Sequence, residues 1–253
     1  MASSKIPVRE QILAIDIGAT NIKFCHVDRH GEMLDAIRRR PTPYPCTPAR
    51  LVEVLSRRIV SAQCPKVGVG FPGEFADGHV VRPGNLSRPG GIGTEVDPGL
   101  EKKWRGFALQ EALCVASQRD VRVVNDAALA ALGCCKGEGT ELVLTLGTGL
   151  GLALEVDGQP VMVRDVGAAS FLDGRSYDEV LGERSRARDE VTWRRSLGRA
   201  VAGFAEEFGA STVHLAGGNA RRVSPKSFAG SPFRVDINGN EAPLHGVARL
   251  FCG

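Results

Sequence analysis

The 253-residue chain is 43% hydrophobic and sets 32 Lys and Arg against 29 Asp and Glu, a net charge of +3. That composition suits a folded protein of one large or two small domains and argues against a polycation built to coat nucleic acid. No apolar run reaches the roughly 20 residues of a membrane span, and the N-terminal MASSKIPVREQ has no signal-peptide core. The seven cysteines form no C-x-x-C pair and read as reduced thiols, so a cytoplasmic protein is predicted.

Ile12–Ile17 reads as a buried strand, Gly18-Ala-Thr-Asn21 as a polar turn and residues 22–27 as the returning strand. Arg38-Arg39-Arg40, flanked by prolines, is predicted as a solvated loop. After it, Leu51, Val52, Val54, Leu55, Ile59 and Val60 recur at helical spacing, and Lys66–Phe71 has the pattern of a strand. Residues 72–99 turn to Gly and Pro, as expected of a long loop forming a substrate wall. Helices are predicted over 107–116 and 127–132, separated by a strand at 121–124 that ends at Asn125-Asp126.

A second hairpin follows, with strands at 141–146 and 150–156 joined by Gly147-Thr-Gly149. It echoes the first hairpin half a chain later. A long helix over 183–208, a strand at 212–216 running into Gly217-Gly218-Asn219, a strand at 233–237 and a helix from 244 complete the pattern. The order of elements gives an α/β protein with two similar domains, 1–124 and 125–242, and the C-terminal helix over 243–253 packing back on the first.

Gly147-x-Gly149-x-Gly151 is followed by strand rather than helix, which removes a dinucleotide fingerprint, and no Gly-Lys-Ser or Gly-Lys-Thr signals a Walker loop. A Gly/Thr hairpin turn can still hold phosphate through backbone N–H groups and a threonine hydroxyl. Two such turns would clamp a polyphosphate, with Asp16 placed to hold a hydrated Mg²⁺ and Lys23 adding positive charge. Either turn alone is most simply a tight hairpin, and Asn125-Asp126 alone is most simply a helix N-cap.

Taken together, these residues resemble the ROK family of bacterial sugar kinases and repressors, within the actin, hexokinase and chaperone ATPase superfamily. Asp16-Ile-Gly-Ala-Thr-Asn-Ile-Lys23 is similar to the first phosphate motif, and Gly70-Phe-Pro-Gly73 to the next landmark. Asn125-Asp126-Ala127 resembles the catalytic motif, Leu146-Gly-Thr-Gly-Leu-Gly151 the second phosphate motif and Gly217-Gly218-Asn219 the adenosine-side turn. The short chain most resembles the polyphosphate-glucokinase-like branch. The resemblance implies two ribonuclease-H-like domains with a cleft between them, and phosphoryl transfer from ATP or polyphosphate to a hexose hydroxyl. It makes Asp126 the general base, with Asn85, Asn125, Asp165 and Gly73 at the sugar. Donor phosphates and nucleotide would meet Gly18, Thr20, Asn21, Lys23, Gly147, Thr148, Gly149, Gly217, Gly218 and Asn219. Asp16 would hold Mg²⁺ through water, and a homodimer is a reasonable assembly.

The family's Glu-x-Gly-His segment is here Asp165-Val-Gly-Ala168, so the histidine is gone and the glutamate shortened. Glucose as acceptor is therefore in doubt, and a silent sugar or nucleotide binder, an ATPase or a kinase for another acceptor stands beside the glucokinase reading. The zinc-binding cysteines of longer members are absent from 168–178, so no zinc is expected. Too few residues precede the first strand for a helix-turn-helix, which disfavours DNA binding. The histidines lack metal-ligand spacing, His214 reading as a core or edge residue. Trp104 and Trp193 are expected to pack or to cover surface, and the Arg-rich run 184–199 reads as a solvated helix face.

Overall fold

The computed structural model describes residues 6–252, with the side chains of 162–165 excepted. The chain forms two compact units, Met1–Leu129 with Leu244–Gly253, and Ala130–Pro243. The division falls between Leu129 and Ala130 rather than at 124–125, so Asn125 and Asp126 belong to the first unit.

The first unit contains β1 (Ile12–Ile17), β2 (Asn21–Val27), β3 (Arg38–Pro41), α1 (Pro48–Ala62) and β4 (Lys66–Phe71). These are followed by β5 (Glu74–Ala76), β6 (His79–Arg82), α2 (Pro98–Trp104), α3 (Leu109–Ser117), β7 (Asp120–Asn125) and the start of α4 (Asp126–Cys134). Its main sheet has the order β3-β2-β1-β4-β7. The first three strands pair antiparallel, and β1, β4 and β7 pair parallel. Leu51, Leu55 and Ile59 recur every four residues on α1 and are fully buried. Thr47 starts that helix by accepting the Arg50 N–H, with Pro48 in its first turn.

In the second unit are β8 (Thr140–Leu146), β9 (Leu150–Val156), β10 (Gln159–Asp165), β11 (Ser170–Leu172) and β12 (Arg175–Ser176). Helices α5 (Tyr177–Leu181), α6 (Glu183–Arg188) and α7 (Glu190–Phe208), strands β13 (Thr212–Ala216) and β14 (Arg234–Ile237), and the first two residues of α8 (Ala242–Gly246) follow. The sheet order β10-β9-β8-β13-β14 repeats that of the first unit, three antiparallel strands and then two parallel neighbours. The repeated hairpin thus opens two copies of one ribonuclease-H-like topology.

Several expectations need correction. Arg38–Pro41 is not a loop but an edge strand, exposed at every residue, where arginines and a proline discourage further pairing. The 72–99 loop contains the β5–β6 hairpin, a 3-10 turn at Gly84–Ser87 and the start of α2, whose first turn Asp97 caps by accepting two N–H groups. The long helix over 183–208 is two helices, because Asp189 leaves helical geometry and its carboxylate caps α7. Arg186 on that run is not solvated: it is 15% exposed and bridges Glu183 and Glu190. The chain ends in a short α8 and a 3-10 turn at Val247–Phe251 rather than one helix from 244. Trp104 and Trp193 are both buried and donate their indole N–H groups to the Cys46 and Leu181 carbonyls, at 2.8 and 2.7 Å.

Candidate active site

In the first unit the parallel strands β1, β4 and β7 end side by side, with Asp16 opposite Gly70 and Phe71 opposite Asn125. Ligands of open α/β sheets bind beyond such carboxyl ends. Gly70 stands between the two acids. A Cβ there would lie in ordinary contact, 3.5 Å, with both Asp16 Oδ1 and the Asp126 Cα, which places Gly70 against both residues. Asp16, at 5% exposure, accepts a 2.6 Å hydrogen bond from the Lys23 ammonium on Oδ2. The hairpin pairing that sets Asp16 directly across from Lys23 creates this ion pair.

Asp126 opens α4 and accepts the Ala127 N–H at 2.8 Å. It keeps partial solvent contact, yet burial pushes its carboxyl up to about 7. The Asp16 carboxylate adds to the rise, while the Ala127 N–H and the Lys23 ammonium oppose it. The helix cap itself is Asn125, whose Oδ1 accepts the N–H groups of Ala127 and Ala128 at 2.8 and 3.1 Å. Asn125 Nδ2 donates to the Gly73 carbonyl at 2.7 Å, which ties the end of β7 to the loop after β4 and leaves one amide proton for a ligand.

Thr20 is exposed at the tip of the first hairpin. Behind it, the Thr42 hydroxyl donates to the Gly18 carbonyl at 2.6 Å, and the Tyr44 hydroxyl reaches the Ala19 carbonyl at 2.8 Å and the Asn85 carbonyl at 3.5 Å. Asn85 and the phosphate-type turn therefore share one brace. Asp16, Gly18, Thr20, Asn21, Lys23, Gly73, Asn85, Asn125 and Asp126 all belong to this unit.

In the second unit the turn Gly147-Thr148-Gly149 closes with the Gly147 N–H donating to the Gly149 carbonyl at 3.1 Å. Thr148 is exposed at its tip, as Thr20 is in the first hairpin. Asn219 supports the turn by donating its backbone N–H to Leu146 and its side-chain amide to the Gly147 carbonyl, at 3.1 and 3.2 Å. Gly217, at φ +90°, presses its backbone on Leu146, where a Cβ would stand 2.5 Å from the Leu146 carbonyl oxygen. Gly218 faces open space. Asp165 lies on β10, but its side chain is outside the described residues.

Sequence reasoning passed over Asp178. Its Oδ1 accepts the Leu150 N–H at 2.8 Å, and its carboxyl occupies the space left by two glycines. A Cβ on Gly149 or Gly167 would come within 2.2 or 2.5 Å of it. The glycines at 149 and 167 were the available signal, since both are bare where this carboxylate packs. A hydrogen bond to a charged group is worth about 1.5–3 kcal/mol. Asp178→Ala is thus expected to speed amide exchange at Leu150 about 10- to 100-fold. Hydrogen exchange resolved to that residue checks it, and unchanged protection would remove Asp178 as the brace.

The sequence model of the ROK family matches residues 12–167. The chain belongs to the ROK family. An inorganic polyphosphate/ATP-glucomannokinase from Arthrobacter sp. strain KM is 29% identical over 96% of this chain and 98% of its own, with a TM-score of 0.76. A ROK family glucokinase from Streptomyces griseus, solved with glucose and AMPPNP, is 20% identical over 95% of this chain and 98% of its own, with a TM-score of 0.64. A ROK family transcriptional regulator, a homologue of the E. coli MLC protein, is 15% identical over 94% of this chain and 76% of its own, also at 0.64. At the last two identities the likeness is one of fold. No curated protein matches the sequence significantly. Among the described residues, no helix is long and apolar enough to cross a membrane.

Proposed function

We propose that this ROK protein is a sugar kinase that moves the terminal phosphoryl group of ATP or polyphosphate onto a hexose hydroxyl. The observation that carries the reading is Asp126, a carboxyl raised to about 7 beside the Asp16–Lys23 ion pair. A base poised near neutrality takes the hydroxyl proton as the sugar oxygen forms its bond to phosphorus and the bond to the donor's leaving phosphate breaks. Asn125, Asn85 and Gly73 position the sugar, and Asn125 retains one N–H for it. Backbone N–H groups and the hydroxyls of Thr20 and Thr148 take the donor phosphates, with Gly217, Gly218 and Asn219 at the nucleotide. Likeness to a glucomannokinase that uses either donor supports leaving both open.

Asp16 suits a hydrated Mg²⁺. Lys23 occupies its Oδ2, whereas Oδ1 faces bare Gly70, which leaves room for a coordinated water. The ion, when bound, neutralises charge on the phosphate oxygens. Lys23 holds the Asp16 carboxylate in place.

Ala168 favours a second reading, a kinase for an acceptor other than glucose. It is exposed and offers no hydrogen bond where the family's histidine would, a loss typically worth about 0.5–1.5 kcal/mol. Phosphoryl transfer with Mg²⁺ and either donor, against glucose, mannose, fructose, N-acetyl sugars and pentoses, tests both readings. Turnover of one sugar names the acceptor. Binding of ATP without turnover of any sugar would replace the kinase with a silent binder.

A further inference from the structure

A second group of chemically capable side chains lies in the second unit, away from its phosphate-type turn. Glu141 is near the start of β8, roughly 20 Å along the strand from Gly147. Cys135 directly follows α4, and His214 sits in the middle of β13. One ligand atom from each of Cys135, Glu141 and His214 lies within 4.8 Å of the other two. His214 and Glu141 are 1% and 2% exposed, and Cys135 is half-buried.

The carboxylate is fixed before any ligand arrives. Glu141 Oε1 accepts the N–H groups of Lys136, Gly137 and Glu138 at 2.9, 2.6 and 3.0 Å. Its Oε2 faces His214 Nε2 at 2.7 Å. Four N–H contacts from Lys136, Gly137 and Glu138 to its two oxygens mark the carboxylate as the acceptor in the contact with His214. His214 Nδ1 lies 3.3 Å from the Asn238 side-chain amide. Glu141 accepts in this contact, so His214 Nε2 carries the proton and Nδ1 accepts from Asn238 Nδ2; a cation at Nε2 would replace that proton, which moves to Nδ1 as the Asn238 amide turns its oxygen to the ring.

Glu155, 1% exposed, is the direct cross-strand partner of Glu141, so a second buried acidic side chain lies on the same face of the sheet. Of the two adjacent cysteines, Cys135 is the one whose sulfur lies within reach of the Glu141 and His214 ligand atoms.

We propose that Cys135, Glu141 and His214 form a zinc site, with water in the fourth position. Sulfur, imidazole nitrogen and carboxylate oxygen together suit tetrahedral Zn²⁺. Ligand atoms in such a site stand about 3.3–3.6 Å apart, given bonds near 2.0–2.3 Å. Small side-chain movements therefore complete it, parting Glu141 from His214 and drawing Cys135 inward. Binding converts the Cys135 thiol to thiolate and releases its proton to solvent. The ion would pin the segment after α4 to β8 and β13. Spacing along the chain hides this group, because 135, 141 and 214 meet only through the parallel pairing of β8 with β13.

The test uses the full chain, stripped with a chelator and titrated with Co²⁺ as a spectroscopic stand-in. A thiolate-to-cobalt charge-transfer band and strong visible bands of a tetrahedral site are expected to saturate at one equivalent and to vanish when Zn²⁺ is added. Cys135→Ser should abolish the charge-transfer band while Cys134→Ser keeps it, and metal-free melting of Cys135→Ser should match the parent. His214→Asn provides a second check. No thiolate band in the parent, or one that survives Cys135→Ser, overturns the site.

Discussion

Asp126→Asn is expected to lower kcat for phosphoryl transfer about 10²- to 10⁴-fold, the range a positioned general base supplies, while melting at a higher temperature than the parent above pH 7. The two effects share one cause. A carboxyl held at about 7 in the native state, against about 3.9 unfolded, keeps its proton when folded over the interval between those values. The native state then binds more protons than the unfolded one, so this group's contribution to stability falls as pH rises from about 4 to about 7 and stays low above that. Asparagine removes the buried charge and keeps an oxygen for the Ala127 N–H. Since each pKa unit is worth about 1.4 kcal/mol, the gain at pH 8 amounts to a few kcal/mol. The parent's kcat/KM should rise with pH through about 7, and the variant's residual rate should lack that limb. Melting curves at pH 5 and pH 8 beside a pH–rate profile check it. Full activity in the variant removes Asp126 as base, and equal melting at both pH values removes the buried-charge account.

The two hairpins, β4, β7 and β13 are legible in the sequence because their apolar runs are short and bounded by Gly, Asn and Asp, which fix strand ends locally. The acid pair is only half legible. Asp16 and Lys23 face each other across a local turn, but Asp126 joins them only through the parallel pairing of β1 with β4 and of β4 with β7, with Gly70 packed against both acids. Arg38–Pro41 reads as loop because its strand character comes wholly from pairing with β2, a tertiary effect no local apolar pattern signals. The single helix expected over 183–208 fails at Asp189, which has unremarkable propensity inside a helical pattern but whose carboxylate binds the N–H groups of Val191 and Thr192 instead of continuing the helix. Asp178 lies far along the chain from the turn it supports, and no spacing rule links a helix residue to glycines at 149 and 167.

Lys23→Met should be the most destabilising single change in the first unit's site and should move the acid limb of the rate profile upward. Methionine preserves the length and the apolar stem but leaves the Asp16 carboxylate, 5% exposed, without its ammonium. Removing one member of a buried pair costs about 3–5 kcal/mol, because the remaining charge is stranded. Lys23 also opposes the rise of the Asp126 carboxyl, so its loss raises that group further above about 7 and leaves less base at neutral pH. Activity lost at pH 7 should therefore recover in part at pH 9, a response that misfolding alone would not give. Pairing the change with Asp16→Asn removes the stranded charge, and the double variant should be more stable than Lys23→Met although it carries one more substitution. Urea unfolding of the four proteins gives the coupling between the two residues, and rate profiles of the parent and Lys23→Met give the shift. A limb that stays in place would mean that Lys23 supports the fold of the hairpin and leaves the base untouched.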